Sequence, residues 1–269
     1  KHFKNFLKLD KEEKKIVVYS ESKFYRKHFS ELIENLCKNY EGTIHYVTSD
    51  FQDLLFQNQN VKSYYIGSGL IRQIFFTILK CKILILTLND LDNYHIKKST
   101  GCDKYIYIFH GVVSCFEREC QNSYTKNALK NYDTLFCVGD YQINEVRKIE
   151  EIHGDNKKEL FKCGYFLLDY LNKFSKKNIM SKNTILLAPS WSRLKDNLFD
   201  THSFRIVNIL LENKFNVILR PHPEHYKRSL KLINKFKKIN NPNFVIDEKS
   251  DNLESMEKAE ILLTDNSGI

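Results

Sequence analysis

Two of the four prolines in this 269-residue chain bracket one histidine, in the run Leu219-Arg220-Pro221-His222-Pro223-Glu224-His225. Proline fixes φ and removes a donor, so the backbone on either side of His222 is stiff and extended. The apolar stretch 216–219 before it reads as a strand, and an open α/β sheet places anion-handling side chains outside the carboxyl ends of its strands. Arg220 offers a fixed fork of donors suited to phosphate oxygens. His222 can donate to the same diphosphate or, if protonated, offset charge on a departing group. His225, one turn on, reads as solvated. The bland alternative for the whole run is a rigid loop of hydrated polar groups.

Three further runs have the same form. Tyr105-Ile106-Tyr107-Ile108-Phe109 ends in His110-Gly111, a histidine just past a buried strand, followed by a glycine that allows close backbone approach. Such an imidazole can take a proton from a hydroxyl nucleophile, typically worth about 10²–10⁴ in rate; the alternative is a strand-end histidine bonded to a carbonyl. Ile185-Leu186-Leu187-Ala188-Pro189-Ser190-Trp191-Ser192 ends a strand with Ala-Pro. Ser190 and Ser192 can donate to a base or phosphate oxygen, and Trp191 can pack a base or simply cap the core. Ile261-Leu262-Leu263-Thr264 leads into Asp265-Asn266-Ser267-Gly268-Ile269, which reads as the start of a helix. Amide groups at such a terminus contribute ~0.3–2 kcal/mol to an anion, or Asp265 or Ser267 is an ordinary helix cap.

These runs need a scaffold of strands that share one edge. Short β-branched segments at 16–19, 43–48, 82–87, 105–109, 134–138, 184–188, 216–219, 244–247 and 261–264 alternate with amphipathic stretches such as 24–39 and 203–213. That alternation argues for βαβ units and mainly parallel sheets. The polar segment 172–183 reads as a hinge between two α/β lobes, residues 1–170 and 171–269. The expectation is an acceptor-side Rossmann-like lobe, then a nucleotide-donor lobe that is incomplete, since the chain stops inside a motif and begins without Met. Every run lies at a strand's carboxyl end, so His110 and His222 are expected to face one crevice.

Composition bounds the rest. A formal charge of +9 admits nucleic acid, an anionic membrane face or phosphorylated substrates. The densest basic groups, 1–15 and 227–238, lack the interleaved aromatics of a single-strand binder, which argues against nucleic acid. Most of the lysines read as solvated helix faces. The most apolar segment, 70–88, is broken by Arg72, Gln73, Lys80 and Lys82, short of a membrane span, and no signal peptide is visible. Seven scattered cysteines form no CxxC pair, which indicates reduced thiols in a cytoplasmic protein and no zinc site.

In their order, the four runs resemble the CDP-glycerol glycerophosphotransferase family, the teichoic-acid and capsule polymerases. That family shows an apolar or aromatic residue before His-Gly, then Ala-Pro-Thr-Trp, Arg-Pro-His-Pro and Asp-Tyr-Ser-Ser. The resemblance spans residues 105–269, and Arg220 to Pro223 is its most specific element. Gly164 and Asp169 look like a loosened form of a further family element lacking its Pro and Arg. Val112, Val113 and Ser114 depart from the family after His-Gly, Ser190 stands where Thr is common, and Gly268 replaces the last Ser.

The resemblance implies a GT-B fold and transfer of glycerophosphate, or a related alditol or sugar phosphate, from a CDP-linked donor to a surface polymer. No cofactor is implied beyond the donor substrate. His110 would deprotonate the acceptor, with Gly111 beside it. Arg220 and His222 would hold the diphosphate, and Ser190 and Trp191 would lie near the nucleotide. Ser267 and Gly268 would cradle phosphate, with Asp265 and Asn266 alongside. The acceptor would be a lipid-linked or oligomeric polyol-phosphate or saccharide, met at the inner face of the membrane by a peripheral enzyme. A GT-B sugar transferase or UDP-sugar epimerase is the enzymatic alternative, and a basic module binding anionic lipid or nucleic acid the non-enzymatic one.

Overall fold

The computed structural model describes residues 2–53, 60–89, 91–92, 96–112, 128–174, 181–191, 197–249 and 252–265. The chain divides into two compact units, Lys1–Tyr170 and Leu171–Ile269.

The first unit runs α1 (His2–Leu7), β1 (Ile16–Ser20), α2 (Ser30–Asn39), β2 (Ile44–Thr48), β3 (Val61–Tyr65), α3 (Leu70–Ile78), β4 (Cys81–Leu86), β5 (Cys102–Ile108), β6 (Thr134–Cys137), α4 (Asp140–His153), β7 (Glu159–Lys162) and α5 (Phe166–Phe174), which crosses into the second unit. Its seven strands are all parallel, in the order β3-β2-β1-β4-β5-β6-β7. Central strands such as Ile16-Val17-Val18-Tyr19 are near-continuous apolar runs because helices cover both faces of a parallel sheet. Alternate residues then feed two cores. Val17, Tyr19, Leu84, Tyr105, Tyr107 and Leu135 join one, and Val18, Tyr46, Ile85, Ile106 and Ile108 the other.

The second unit runs β8 (Thr184–Leu187), α6 (Leu198–Glu212), β9 (Asn216–Leu219), α7 (His225–Arg228), α8 (Leu230–Phe236), β10 (Phe244–Ile246), α9 (Leu253–Lys258) and β11 (Ile261–Leu263). Its parallel sheet has the order β10-β9-β8-β11, over a core that includes Leu187, Phe199, Val207, Val217, Leu219 and Phe236. Asn197 caps α6 by accepting the Asp200 N–H at 2.9 Å.

Two strands lie outside the sequence-derived set, β3 and β7. They are the two edges of the large sheet. Edge strands are half solvated, and Val-Lys-Ser-Tyr-Tyr and Glu-Leu-Phe-Lys carry the polar residues that edges tolerate. The helix expected over 24–39 is broken: a 3₁₀ turn, Arg26–His28, precedes α2. That break turns His28 into the interior.

Candidate functional site

Strand order reverses between β8 and β11 in the second unit, and the candidate residues gather at that reversal. Leaving β8, the Ala188 N–H donates to the Leu263 carbonyl at 2.9 Å. Leaving β11, the Thr264 hydroxyl donates to the Ala188 carbonyl at 2.8 Å. The Ser190 N–H then donates to Asp265 Oδ1 at 2.7 Å. From β9, the Arg220 N–H reaches the Leu187 carbonyl at 2.9 Å. Ser190, Arg220, His222 and Asp265 therefore emerge at the carboxyl edge of one four-stranded sheet, the position at which open α/β sheets bind ligands. Asn266, Ser267 and Gly268, like Ser192, lie outside the described residues.

His222 is exposed. Its Nδ1 accepts the Glu224 backbone N–H at 3.2 Å. In the neutral ring this puts the proton on Nε2, so Nε2 is a donor, the type suited to a phosphate oxygen and unsuited to removing a proton.

Arg220 has a different disposition from the one its residue type suggests. Its NH1 donates to Asp247 Oδ2 at 2.5 Å and its NH2 to the Lys249 carbonyl at 3.1 Å. The side chains of Arg220 and Asp247 are only 13% and 5% exposed. Ser255 Oγ donates to the same Asp247 oxygen at 2.5 Å. The fork thus fastens the exits of β9 and β10 together.

His225 corrects the expectation of a solvated ring. It is fully buried, stacks on Phe199 with centroids 3.9 Å apart, and donates from Nε2 to the Ser190 carbonyl at 3.2 Å. Burial pushes its pKa below the usual histidine value, against the Ser190 hydrogen bond and the carboxylates of Asp200, Asp265 and Glu224. It props the Pro189-Ser190-Trp191 exit from beneath. Trp191 is half-buried, with the Arg228 guanidinium 4.9 Å from its ring centroid. Glu224 holds that guanidinium by accepting from Arg228 Nε at 3.0 Å.

In the first unit, His110 follows β5 by two residues and is half-buried. Its ring meets the edge of Tyr25 at 5.9 Å and of His28 at 6.1 Å, both from the segment after β1. Tyr165 Oη donates to the His110 carbonyl at 3.0 Å, and Gly164 before it has φ of 75°, a left-handed conformation that suits glycine. Gln142 Nε2 donates to the Gly111 carbonyl at 3.3 Å, while its Oε1 accepts the Val138 N–H at 2.8 Å. His28 is buried, and burial, then Lys27 and His110, hold it well below the ordinary histidine pKa. Tyr25, His28 and Tyr165, which meet His110, and Gln142, which meets Gly111, escape a reading of motifs because only folding brings them there. Among the described residues, no cluster of His, Cys, Asp and Glu is disposed to hold a metal ion.

No protein-family model matches the sequence, and the search of curated proteins returns no match. Solved structures do match. The wall teichoic acid polymerase TagF is similar at TM-score 0.58 and 16% identity, over 96% of this chain and 68% of that one. A UDP-GlcNAc 2-epimerase from Methanocaldococcus jannaschii, in complex with UDP-GlcNAc and UDP, is similar at TM-score 0.63 and 18% identity, over 94% and 79%. S. aureus MnaA bound to UDP is similar at 0.62 and 13%, over 95% and 75%. The likeness is one of fold: two Rossmann-like units with parallel sheets, of GT-B type.

Proposed function

We propose that the chain is a transferase that moves a glycerophosphate-type unit from a CDP-linked donor to a polymer hydroxyl. The observation that carries this reading is the convergence of Ser190, His222 and Asp265 on one sheet edge, where strand order reverses. The ordered motifs and the fold shared with TagF support it.

In this reading the second unit holds the donor. His222 Nε2–H donates to a diphosphate oxygen, and Ser190 and Trp191 border the nucleotide. The shared chemistry of the site is recognition of a nucleoside diphosphate. Arg220 acts through Asp247 as a positioning residue. His110 in the first unit accepts the proton of the acceptor hydroxyl as that oxygen bonds to the donor's distal phosphorus. The bond from that phosphorus to the bridging oxygen breaks, and CMP leaves with the electron pair. Phosphoryl transfer of this kind depends mainly on positioning and charge stabilisation.

Incubation with CDP-glycerol and a primed polymer acceptor releases CMP in this account. A second reading, conversion of a UDP-sugar, is favoured by the similarity to two UDP-bound proteins; UDP-GlcNAc in place of CDP-glycerol separates the two.

A further inference from the structure

Cys81 and Cys102 open β4 and β5, neighbouring parallel strands in which the two residues are register partners. The strand entries are pressed together. The Cys81 N–H donates to the Gly101 carbonyl at 3.3 Å, and Ser99 Oγ donates to the Leu79 carbonyl at 2.6 Å. A Cβ at Gly101 would lie 2.6 Å from that Leu79 oxygen, a close approach that glycine allows. The two cysteine sulfurs come within 3.3 Å of each other. Adjacent strands lie about 4.8 Å apart, inside the Cα separation of about 4.4–6.8 Å that a disulfide spans.

The two thiols differ in their surroundings. Cys81 is sealed in the core, whereas Cys102 keeps 9% of its surface exposed. The Cys81 S–H donates to Cys102 Sγ, and the Cys102 thiol reaches the Leu79 carbonyl at 3.7 Å. The bond from Cys81 holds Cys102 below the usual thiol pKa against the cost of burial, with help from Tyr105 and Lys11, and raises Cys81 above it. Lys14, 3% exposed, is fixed at the start of β4 by the Lys82 N–H on its carbonyl at 3.0 Å. Its charge attracts both sulfurs in their anionic form. A thiol placed beside cations reacts as the thiolate. Burial instead pushes Cys37, Cys137 and Cys163 above the usual value.

We propose that Cys81 and Cys102 are a peroxide-reactive pair that closes to a reversible disulfide, with Cys102 attacking and Cys81 resolving. The Cys102 thiolate bonds to one oxygen of hydrogen peroxide, the O–O bond breaks, and hydroxide leaves with the electron pair. The Cys81 sulfur then attacks the sulfenic acid, the S–O bond breaks, and the departing hydroxide takes the Cys81 proton as water. Two thiols and one peroxide thus give one disulfide and two waters. The new bond clamps the amino ends of β4 and β5, at the opposite edge of the sheet from His110. It forms whichever nucleotide the protein uses.

The test treats the full chain with equimolar hydrogen peroxide, alkylates the remaining thiols and reads the digest by mass spectrometry. A cross-link between the peptides that carry Cys81 and Cys102, removed by dithiothreitol, is expected. Cys81→Ser should leave Cys102 as a sulfenic acid that dimedone labels, and Cys102→Ser should leave Cys81 unlabelled, the folding of both being checked by circular dichroism. Lys14→Met should slow the cross-link severalfold. Absence of the cross-link in the unaltered chain, or labelling of Cys81 in preference to Cys102 in the single variants, overturns the proposal. So does a cross-link that forms only in urea, which would make the pair ordinary core thiols.

Discussion

Asp265 accepts the Ser190 backbone N–H at 2.7 Å across the point at which β8 and β11 diverge in strand order. One exposed carboxylate thereby fixes the loop that carries Ser190 and Trp191. A hydrogen bond to a charged group is worth about 1.5–3 kcal/mol. Asp265→Ala is therefore expected to raise the donor Kd about tenfold, measured by calorimetric titration of CDP-glycerol, with little change in Tm because the side chain is exposed.

Arg220 and Asp247 form a pair largely removed from water. Removing one partner of such a pair typically costs about 3–5 kcal/mol, whereas an apolar replacement of both is often close to neutral. Urea unfolding should show Arg220→Ala strongly destabilised and Arg220→Met with Asp247→Leu restored most of the way. Equal instability of both variants would contradict the structural role assigned to the guanidinium.

His28, His45 and His225 are buried rings whose pKa values lie below the usual 6.5, burial being the largest cause in each. His45 touches the Glu13 carbonyl at 3.0 Å, with Lys62 and Lys14 near it. Each ring binds a proton more weakly folded than unfolded. Their stability contribution is therefore complete above about pH 6.5 and declines as pH falls below it. Urea midpoints taken from about pH 8 down to about pH 5 should fall in the lower half of that range, and His225→Gln should flatten the fall.

Tyr165 holds the His110 carbonyl from a glycine with positive φ. Tyr165→Phe removes that hydroxyl and keeps the ring that packs near His28, 6.2 Å away. The expected result is a severalfold fall in kcat with the donor KM unchanged, since a hydrogen bond of this type is worth about 0.5–1.5 kcal/mol.

The α/β class and nine of the strands are legible because buried parallel strands are apolar throughout, and their exits carry Pro, Gly and His. β3 and β7 are not legible, because one neighbour and a wet side leave them little apolar pattern. The position of Ser190, His222 and Asp265 at strand exits follows from residue types at strand ends, which sequence displays. The commitment of Arg220 to Asp247, 27 residues away, is not displayed. His225 misleads because its sequence neighbours are polar, while Phe199, which buries it, lies on another helix. His28 hides for the same reason: a 3₁₀ turn interrupts what reads as one amphipathic helix.

The most direct test pairs donor binding with turnover in two variants. With CDP-glycerol and a primed acceptor, His222→Ala should lose both donor affinity and CMP release. His110→Ala should bind donor normally and release CMP about 10²–10⁴ times more slowly. CMP release at the unaltered rate by both variants, or turnover of UDP-GlcNAc with none of CDP-glycerol, would contradict the account.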